Sequence, residues 1–412
     1  MNRRMRGARN IALLAFAAAW RRCLFRTTFI AISGSLGKTS CTEVVGEVLA
    51  SRYRTRRTKR GHNHYAGIAR TMLHVMPWHR YAVVEIGIER PGEMKRFVRA
   101  VKPDIAIWLS VARTHTMNFR TLETTAQEKS ILVGGLKTGG IAILNDDNPY
   151  IAAYDPPSHV TTYYYGNTTR SICNASNASS LWPERLSFDV RIGDERAAVQ
   201  TRFVGTHWTS SLLPAFIVAK IAGVTPSGAA NVLSRYEPLP LRMAPVELPG
   251  GATMLRDERN ASVDTMAAAL KVLGEATAER RIILFSDVSD SKDKPRVRLR
   301  RCGREIAAVA DAALFLGENC EHTAKAAIEA GMRADQVWSF YNIEDAVTHL
   351  KLELRAGDLL LVRGRVVDHM MRVYLSMVRD VGCWLNYCPK NIDCERCGEL
   401  KGRKKSPVKA EA

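Results

Sequence analysis

Gly34-Ser-Leu-Gly37-Lys38-Thr39 is the segment whose residue types and spacing point most directly to chemistry. Its glycines allow a turn tight enough for several backbone N–H groups to converge on one anion, and a helix starting there adds the positive end of its dipole. Lys38 would then reach the β- and γ-phosphates of a nucleoside triphosphate, with the Thr39 hydroxyl on its Mg²⁺. The common phosphate loop has four residues between its glycines, and this one has two. Gly34, Ser35, Gly37, Lys38, Thr39 and Ser40 form the candidate ATP-binding set. A bound nucleotide does not by itself separate a kinase, a switch and a ligase. The remaining polar residues on the scaffold must do that.

Such a loop needs a strand before it and a helix after it. Residues 28–33 read as a buried strand, because a short β-branched run ends directly in glycine, and residues 41–52 read as the helix that follows. Segments 81–86, 104–109 and 140–145 are further apolar strands. Strands alternating with helices predict an α/β fold with a doubly wound parallel sheet. Ligands of such sheets collect at the carboxyl ends of the strands, which is where Glu85 and Asn145 fall. Residues 170–205 alternate in polarity and predict an antiparallel excursion. A second α/β rhythm runs through 281–285, 312–316 and 359–362, so a boundary is placed at Pro238-Leu-Pro240. The predicted organisation is a basic amphipathic segment over 1–27, a phosphate-loop domain over 28–240, a smaller Rossmann-like domain over 241–380, and a Cys-rich basic tail over 381–412.

The chain has 412 residues, 46% hydrophobic and 25% charged, a globular balance that excludes a disordered polymer. No apolar run reaches the ~20 residues that span a bilayer. The run over 11–20 ends in Arg21, Arg22 and Cys23 rather than in a cleavage site for a signal peptide, so a cytoplasmic protein is expected. Nine cysteines, an odd number, argue against a disulfide framework. Cys23, Cys41, Cys173, Cys302 and Cys320 read as scattered buried thiols. The net charge of +19 gathers over 3–26, 52–60, 292–304 and 401–409. Such patches suit nucleic acid, an anionic membrane face or a polyanionic substrate, or are plain solvated surface. No patch interleaves aromatics for base stacking, which disfavours nucleic acid. Residues 1–26 predict a helix with Ile11, Leu13, Leu14, Phe16 and Trp20 on its apolar side, either packed on the next domain or lying on a membrane surface.

The shortened loop and the segments after it resemble the Mur ligase family, and within it the branch that adds D-alanyl-D-alanine to a muramoyl tripeptide. Gly61-His-Asn63-His-Tyr-Ala-Gly67-Ile68 resembles that branch's asparagine segment, and Glu85-Ile-Gly87 with Pro91-Gly92-Glu93 its E-x-G and P-G-E run. Thr114-His115 with Phe119 is similar to its histidine segment, Ala126-Gln-Glu-Lys129 to its A-x-x-K, and Leu144-Asn145-Asp-Asp147 to the turn after it. Gly205-Thr-His207, Leu241-Arg242-Met243, and Asp257-Glu-Arg-Asn260-Ala261 with Asp264-Thr-Met266 continue the match in order.

The resemblance implies an ATP-dependent ligase that phosphorylates a carboxylate and lets an amine displace the phosphate. It implies one Mg²⁺ on Thr39 and Glu85 and a second on His115, with Lys129 carbamylated so that it is anionic beside the metal. It also implies Arg242 at the γ-phosphate, Asn145 and His207 beside the adenine, and Asp257 at the ribose. Asn63 and His64 would contact substrate or shape a turn. Asp287, Asp290 and Asp293 would face the amine or be loop acids. Departures stand at Ser110, Trp208, Ser211, Val263 and Arg363-Gly364-Arg365, and only residues 1–33 precede the loop. The expected substrate is therefore a carboxylate other than the usual UDP-muramoyl tripeptide, small or glycan-linked, from cell-envelope or secondary metabolism. An amino acid or peptide is the expected amine.

Cys383, Cys388, Cys394 and Cys397 lie beyond the resemblance. Four thiolates over so short a span can close a tetrahedral zinc site, although only Cys394-x-x-Cys397 has knuckle spacing. An iron–sulfur cluster or free or redox-active thiols are the alternatives. For the whole chain, the rival readings are a P-loop ATPase or kinase that forms no amide, and a basic nucleic-acid-binding protein.

Overall fold

The computed structural model describes residues 3–113, 119–259, 261–388, 390 and 393–400, with side chains from residue 7 onward. Two compact units result. One is built from residues up to 237, and the other from residues 238 onward with the short segments 180–184 and 203–205.

In the first unit, α1 (Arg3–Cys23) leads into β1 (Thr28–Ser33), α2 (Lys38–Ala50), β2 (Thr55–Arg57), α3 (Tyr65–Leu73), β3 (Tyr81–Glu85), α4 (Glu93–Val101) and β4 (Ile105–Trp108). Then follow α5 (Leu122–Gly134), β5 (Ile141–Asn145), α6 (Pro149–Ala152), β6 (Thr161–Tyr165), β7 (Cys173–Ser179), β8 (Ser187–Ile192), β9 (Glu195–Gln200), α7 (Thr209–Ile221) and α8 (Pro226–Arg235). The strands form one sheet in the order β2-β3-β1-β4-β5-β6-β7-β8-β9. It is parallel from β2 to β7, and β8 and β9 add as antiparallel strands. The antiparallel excursion falls where the alternating polarity placed it.

Strand β1 is buried on both faces, as a covered parallel strand must be. Phe29 and Ala31 join a core with Leu14 and Ala17 of α1, Ile68 and Met72 of α3, Phe97 of α4 and Leu132 of α5. Ile30 and Ile32, buried too, point to the opposite face. The order reverses at β1, which has β3 on one side and β4 on the other. Such a switch point opens a crevice at the carboxyl ends of the strands.

The second unit comprises β10 (Ala244–Glu247), β11 (Thr253–Asp257), α9 (Val263–Gly274), β12 (Arg280–Phe285), α10 (Pro295–Ala307), β13 (Ala312–Leu316), α11 (Cys320–Glu329), β14 (Val337–Phe340), α12 (Ile343–Glu353), β15 (Asp358–Arg363) and α13 (Met371–Val378). Its sheet runs β10-β11-β15-β12-β13-β14, parallel except for β10. Alternate strand residues serve opposite layers. Ile283, Phe285, Phe315 and Leu361 pack with α9, α10 and α11. Ile282, Leu284, Leu314 and Leu360 pack with α12 and α13. The mixed α/β class with two parallel-dominated sheets is the one expected.

Two expectations need correction. The helix after the phosphate loop begins at Lys38 rather than at residue 41, because Gly37 takes a left-handed φ of 79° and starts it there. Cys23 is exposed, unlike the other four scattered cysteines, because it sits on the outward side at the end of α1.

Candidate active site

The loop between β1 and α2 is held from behind by the residues that follow β4. The Ser35 N–H donates to the Ser110 carbonyl at 2.9 Å and the Leu36 N–H to the Ser110 hydroxyl at 2.8 Å. That hydroxyl donates in turn to the Leu36 carbonyl, and the Ser35 hydroxyl to the Ala112 carbonyl. Sequence reading noted Ser110 only as a departure from the family pattern; the structure gives it the role of a clamp. Gly37 admits no side chain, since a Cβ there would come within 2.4 Å of the Ser211 hydroxyl on α7. No side chain caps the start of α2. The first N–H groups of a helix have no intrahelical partner, so this end is built to receive an anion.

Around this end the sheet collects charge. Lys38 Nζ donates to the carbonyls of Gly34 and Ser35 at 2.7 and 3.0 Å. Lys129, from α5, donates to the same Gly34 carbonyl at 3.1 Å while only 4% exposed. Burial, reinforced by the nearby Lys38, holds the Lys129 ammonium well below the usual lysine range. Its neighbour Glu128 accepts from the N–H groups of Gly92 and Met94, so it caps α4 and fixes α5 against it.

Glu85, at the carboxyl end of β3, is 1% exposed. Its Oε1 accepts from the Thr39 hydroxyl at 3.1 Å and from Asn63 Nδ2 at 2.7 Å. Among the described residues no Lys, Arg or His side chain forms an ion pair with it. A buried carboxylate so placed favours a cation, so Thr39 and Glu85 fit a Mg²⁺ that a nucleotide brings. Asn63 thus orients the metal-ligand candidate, a role neither of the sequence alternatives for it described. His115 and Asn260 lie outside the described residues.

Other expected site residues take places of their own. Asn145 donates to the Leu109 carbonyl at 2.7 Å and accepts from the Asp147 N–H, which ties β5 to the end of β4. His207 is exposed on a short turn before α7, its ring 4.9 Å from that of Trp208. Ser40 is buried in the first turn of α2. In the second unit, Arg242 lies between Leu241 and Met243, which both have left-handed φ angles, 66° and 52°. Asp257, at the end of β11, accepts from the Met243 N–H and is ion-paired with the buried Arg363 guanidinium, which also donates to Thr265.

At the carboxyl ends of β12, β13 and β15 a cavity of about 450 Å³ opens. Asp287 is a bidentate partner of Arg298 there and is joined by Arg365, so it is a pocket acid rather than a free loop acid. Asn386 and Tyr387 of the tail form part of its wall.

The zinc expectation finds no support. Among the described residues no group of three or more His, Cys, Asp or Glu is arranged to hold a metal ion. Cys394 is drawn instead into an apolar cluster with Leu241, Met371, Leu375 and Leu400, against which Cys383 and Cys397 pack. Burial pushes its thiol up to about 11. Cys388 is anchored through its carbonyl, 3.1 Å from His369 Nε2, and His369 Nδ1 lies 3.2 Å from Cys394 Sγ.

Comparison with known proteins agrees with this architecture. The Mur ligase middle domain matches residues 32–219, and the Mur ligase glutamate ligase domain matches residues 241–366. The UDP-N-acetylmuramoyl-tripeptide–D-alanyl-D-alanine ligase of Escherichia coli is 28% identical over 281 residues, 67% of this chain and 62% of the relative. Its Bacillus subtilis counterpart is 24% identical over 344 residues, 82% of this chain and 73% of that protein. The chain therefore spans rather less than two thirds of the Escherichia coli relative. Among solved structures, MurF from Acinetobacter baumannii superposes with a TM-score of 0.79 at 21% identity, covering 89% of this chain and 80% of that one. The MurF ligase from Thermotoga maritima in complex with ADP gives 0.77 at 18% identity, covering 89% and 82%. These likenesses show the fold. With a middle domain and a glutamate ligase domain matched in order over most of its length, the chain belongs to the Mur ligase family.

Proposed function

We propose that this protein is an ATP-dependent, ADP-forming ligase that joins a carboxylate to the amine of an amino acid or peptide. The observation that carries the reading is the convergence of Lys38, Lys129, Thr39 and Glu85 on the uncapped start of α2. Hydroxide is a poor leaving group, so a carboxylate does not condense with an amine at neutral pH. ATP with Mg²⁺ supplies a phosphoryl group that turns the carboxylate oxygen into a leaving phosphate. Lys38 and the first N–H groups of α2 would stabilise the phosphates, and Thr39 and Glu85, with His115, would hold the metal. Burial favours the neutral amine of Lys129, the form that adds CO₂, and as a carbamate it would contribute an anionic ligand. Arg242 is assigned to the γ-phosphate, His207 and Asn145 to the adenine, and Asp257 to the ribose.

The substrate class is a carboxylated cell-envelope precursor handled in the cytoplasm. The relatives named above act, by their names, on a UDP-N-acetylmuramoyl tripeptide and D-alanyl-D-alanine. The cavity lined by Asp287, Arg298 and Arg365 supports a zwitterionic amine, with a carboxylate toward the arginines and an ammonium toward the acid.

The test is ADP release from ATP and Mg²⁺ by purified protein, given a panel of muropeptide acids with and without D-alanyl-D-alanine or single amino acids. Mass spectrometry reads the product. ADP release that depends on both partners, with an amide formed, is the expected result. ADP release with no amide in any combination would instead identify an ATPase.

A further inference from the structure

We infer that the outer face of α1, together with Phe25 and the loop carrying Trp78, is a docking surface for an anionic lipid bilayer. Residues 1–27 contain seven arginines, Arg3, Arg4, Arg6, Arg9, Arg21, Arg22 and Arg26, and no Asp or Glu. One side of the helix is committed to the protein. Leu14 and Ala17 enter the core, and the Trp20 indole donates to the Val75 carbonyl at 2.8 Å. The Arg21 guanidinium donates to the Val101 carbonyl and to Asp104, and lies 4.0 Å from the centre of the Phe29 ring. These contacts set the rotation of the helix.

The side left facing out is apolar as well. Ala8, Ile11, Ala12, Ala15, Phe16 and Ala19 are exposed and recur at three- and four-residue steps, one stripe of an α-helix. Ile11 is 53% exposed and Phe16 66%. A helix lying on a soluble domain ordinarily turns a polar face to water. Here the polar residues flank the stripe instead: Arg9 near one end and Arg22 and Arg26 at the other, all exposed.

The patch continues past the helix. Phe25 is 82% exposed and Trp78 60%. The loop of Trp78 is tied to the end of α1, since the Thr27 hydroxyl donates to the His79 carbonyl at 2.7 Å and the Arg80 guanidinium to the Arg26 carbonyl. The Arg80 N–H donates to the Arg54 carbonyl, which brings Arg54, also exposed, to the same border. Phenylalanine and tryptophan ringed by arginine match the bilayer interface, where the rings enter the headgroup region and the guanidinium groups meet anionic lipid. None of the described helices is long and apolar enough to cross a membrane, so the surface lies on the bilayer. A second copy of the chain fits poorly, because pairing two such faces would bring arginine against arginine with no acid between them.

The test is co-sedimentation of the full-length protein with phosphatidylglycerol–phosphatidylcholine vesicles and with phosphatidylcholine alone, at rising NaCl. The expected result is binding to the anionic vesicles only, falling with salt. Phe16→Ser with Phe25→Ser should reduce binding about tenfold or more, given the transfer energy of two phenyl rings. Arg22→Glu with Arg26→Glu should do likewise, at roughly tenfold or more from their charge alone. Trp78→Ser, on a separate loop, should weaken binding without touching the helix. Unchanged melting temperature and ATP binding show that each variant is folded. Absence of vesicle binding, equal binding to neutral vesicles, or variants that bind like the parent would overturn the proposal. So would a wild-type dimer in lipid-free solution that Phe16→Ser with Phe25→Ser dissolves, since a second copy would then cover the face.

Discussion

Lys38 and Lys129 donate to one and the same acceptor, the carbonyl oxygen of Gly34, from opposite ends of a separation of 91 residues, at 2.7 and 3.1 Å. Two ammonium groups on one carbonyl repel each other, and only the first sits where solvent reaches it. The arrangement favours an anion that would draw Lys38 off the loop, and it favours a Lys129 that carries no positive charge. Both consequences are open to measurement.

Lys38→Ala should leave the fold intact and abolish ATP turnover. Loss of one preorganised cation at a transferring phosphoryl group costs on the order of 10²–10³ in rate. ADP release with saturating acid and amine is the readout, and a variant with parental turnover would remove Lys38 from the phosphate site.

Lys129 makes a prediction about pH. Its ammonium loses its proton more readily in the folded chain than in the unfolded one, so between the two values the unfolded state binds more protons and stability rises with pH. The cost of burying the lysine is therefore full below its folded value and gone above the ordinary lysine value. Lys129→Met should melt above the parent at neutral pH in CO₂-free buffer, with the difference closing as pH climbs toward the unfolded lysine value. Equal melting of the two proteins at every pH would show that Lys129 is not desolvated.

Glu85→Gln keeps the shape of the side chain and its bonds to Thr39 and Asn63 but removes its charge. Turnover should fall by about 10²–10³ and require more Mg²⁺ for half-maximal rate. A Mg²⁺ dependence like the parent's would count against metal binding at Glu85.

Gly37→Ala should destabilise the chain by roughly 1–3 kcal/mol, the scale for a non-glycine residue held at positive φ. The new methyl group would also press on the Ser211 hydroxyl. Adding Ser211→Ala should recover part of that loss but not all, because the backbone term remains. Chemical denaturation of the two variants and the parent separates the contributions.

Arg363→Met should cost about 3–5 kcal/mol, since removing one partner of a buried pair strands Asp257 without its cation. Asp257→Asn with Arg363→Met should be less harmful than the sum of the two single changes. Additivity within error would show that the pair is not coupled.

Much of this was legible in the chain order alone. The phosphate loop, the strands around it and the change from parallel to antiparallel pairing follow from runs of β-branched residues, glycines and alternating polarity. These signals are local, and a strand buried on both faces reads the same in any chain. Glu85 stood out at the carboxyl end of an apolar strand, whereas Lys129 was reached only through the family resemblance.

What the sequence left open depends on neighbours that are distant along the chain. Nothing local marks Ser110 as the clamp on the phosphate loop, Asn63 as the partner of Glu85, or Arg298 as the partner of Asp287. The first two pairs meet where parallel strands lie side by side, and Arg298 reaches Asp287 from the helix that follows it. The spacing of the four tail cysteines suggested a metal, but among the described residues no group of three or more ligands gathers there, and Cys394 packs in an apolar cluster. The sequence put Ile11, Leu13, Leu14, Phe16 and Trp20 on one apolar side of α1, but the helix divides them, with Leu14 and Trp20 inward and Ile11 and Phe16 outward. Which side it buries was decided by Trp20 and Arg21 finding Val75 and Val101, and that choice is what leaves Phe16 facing outward.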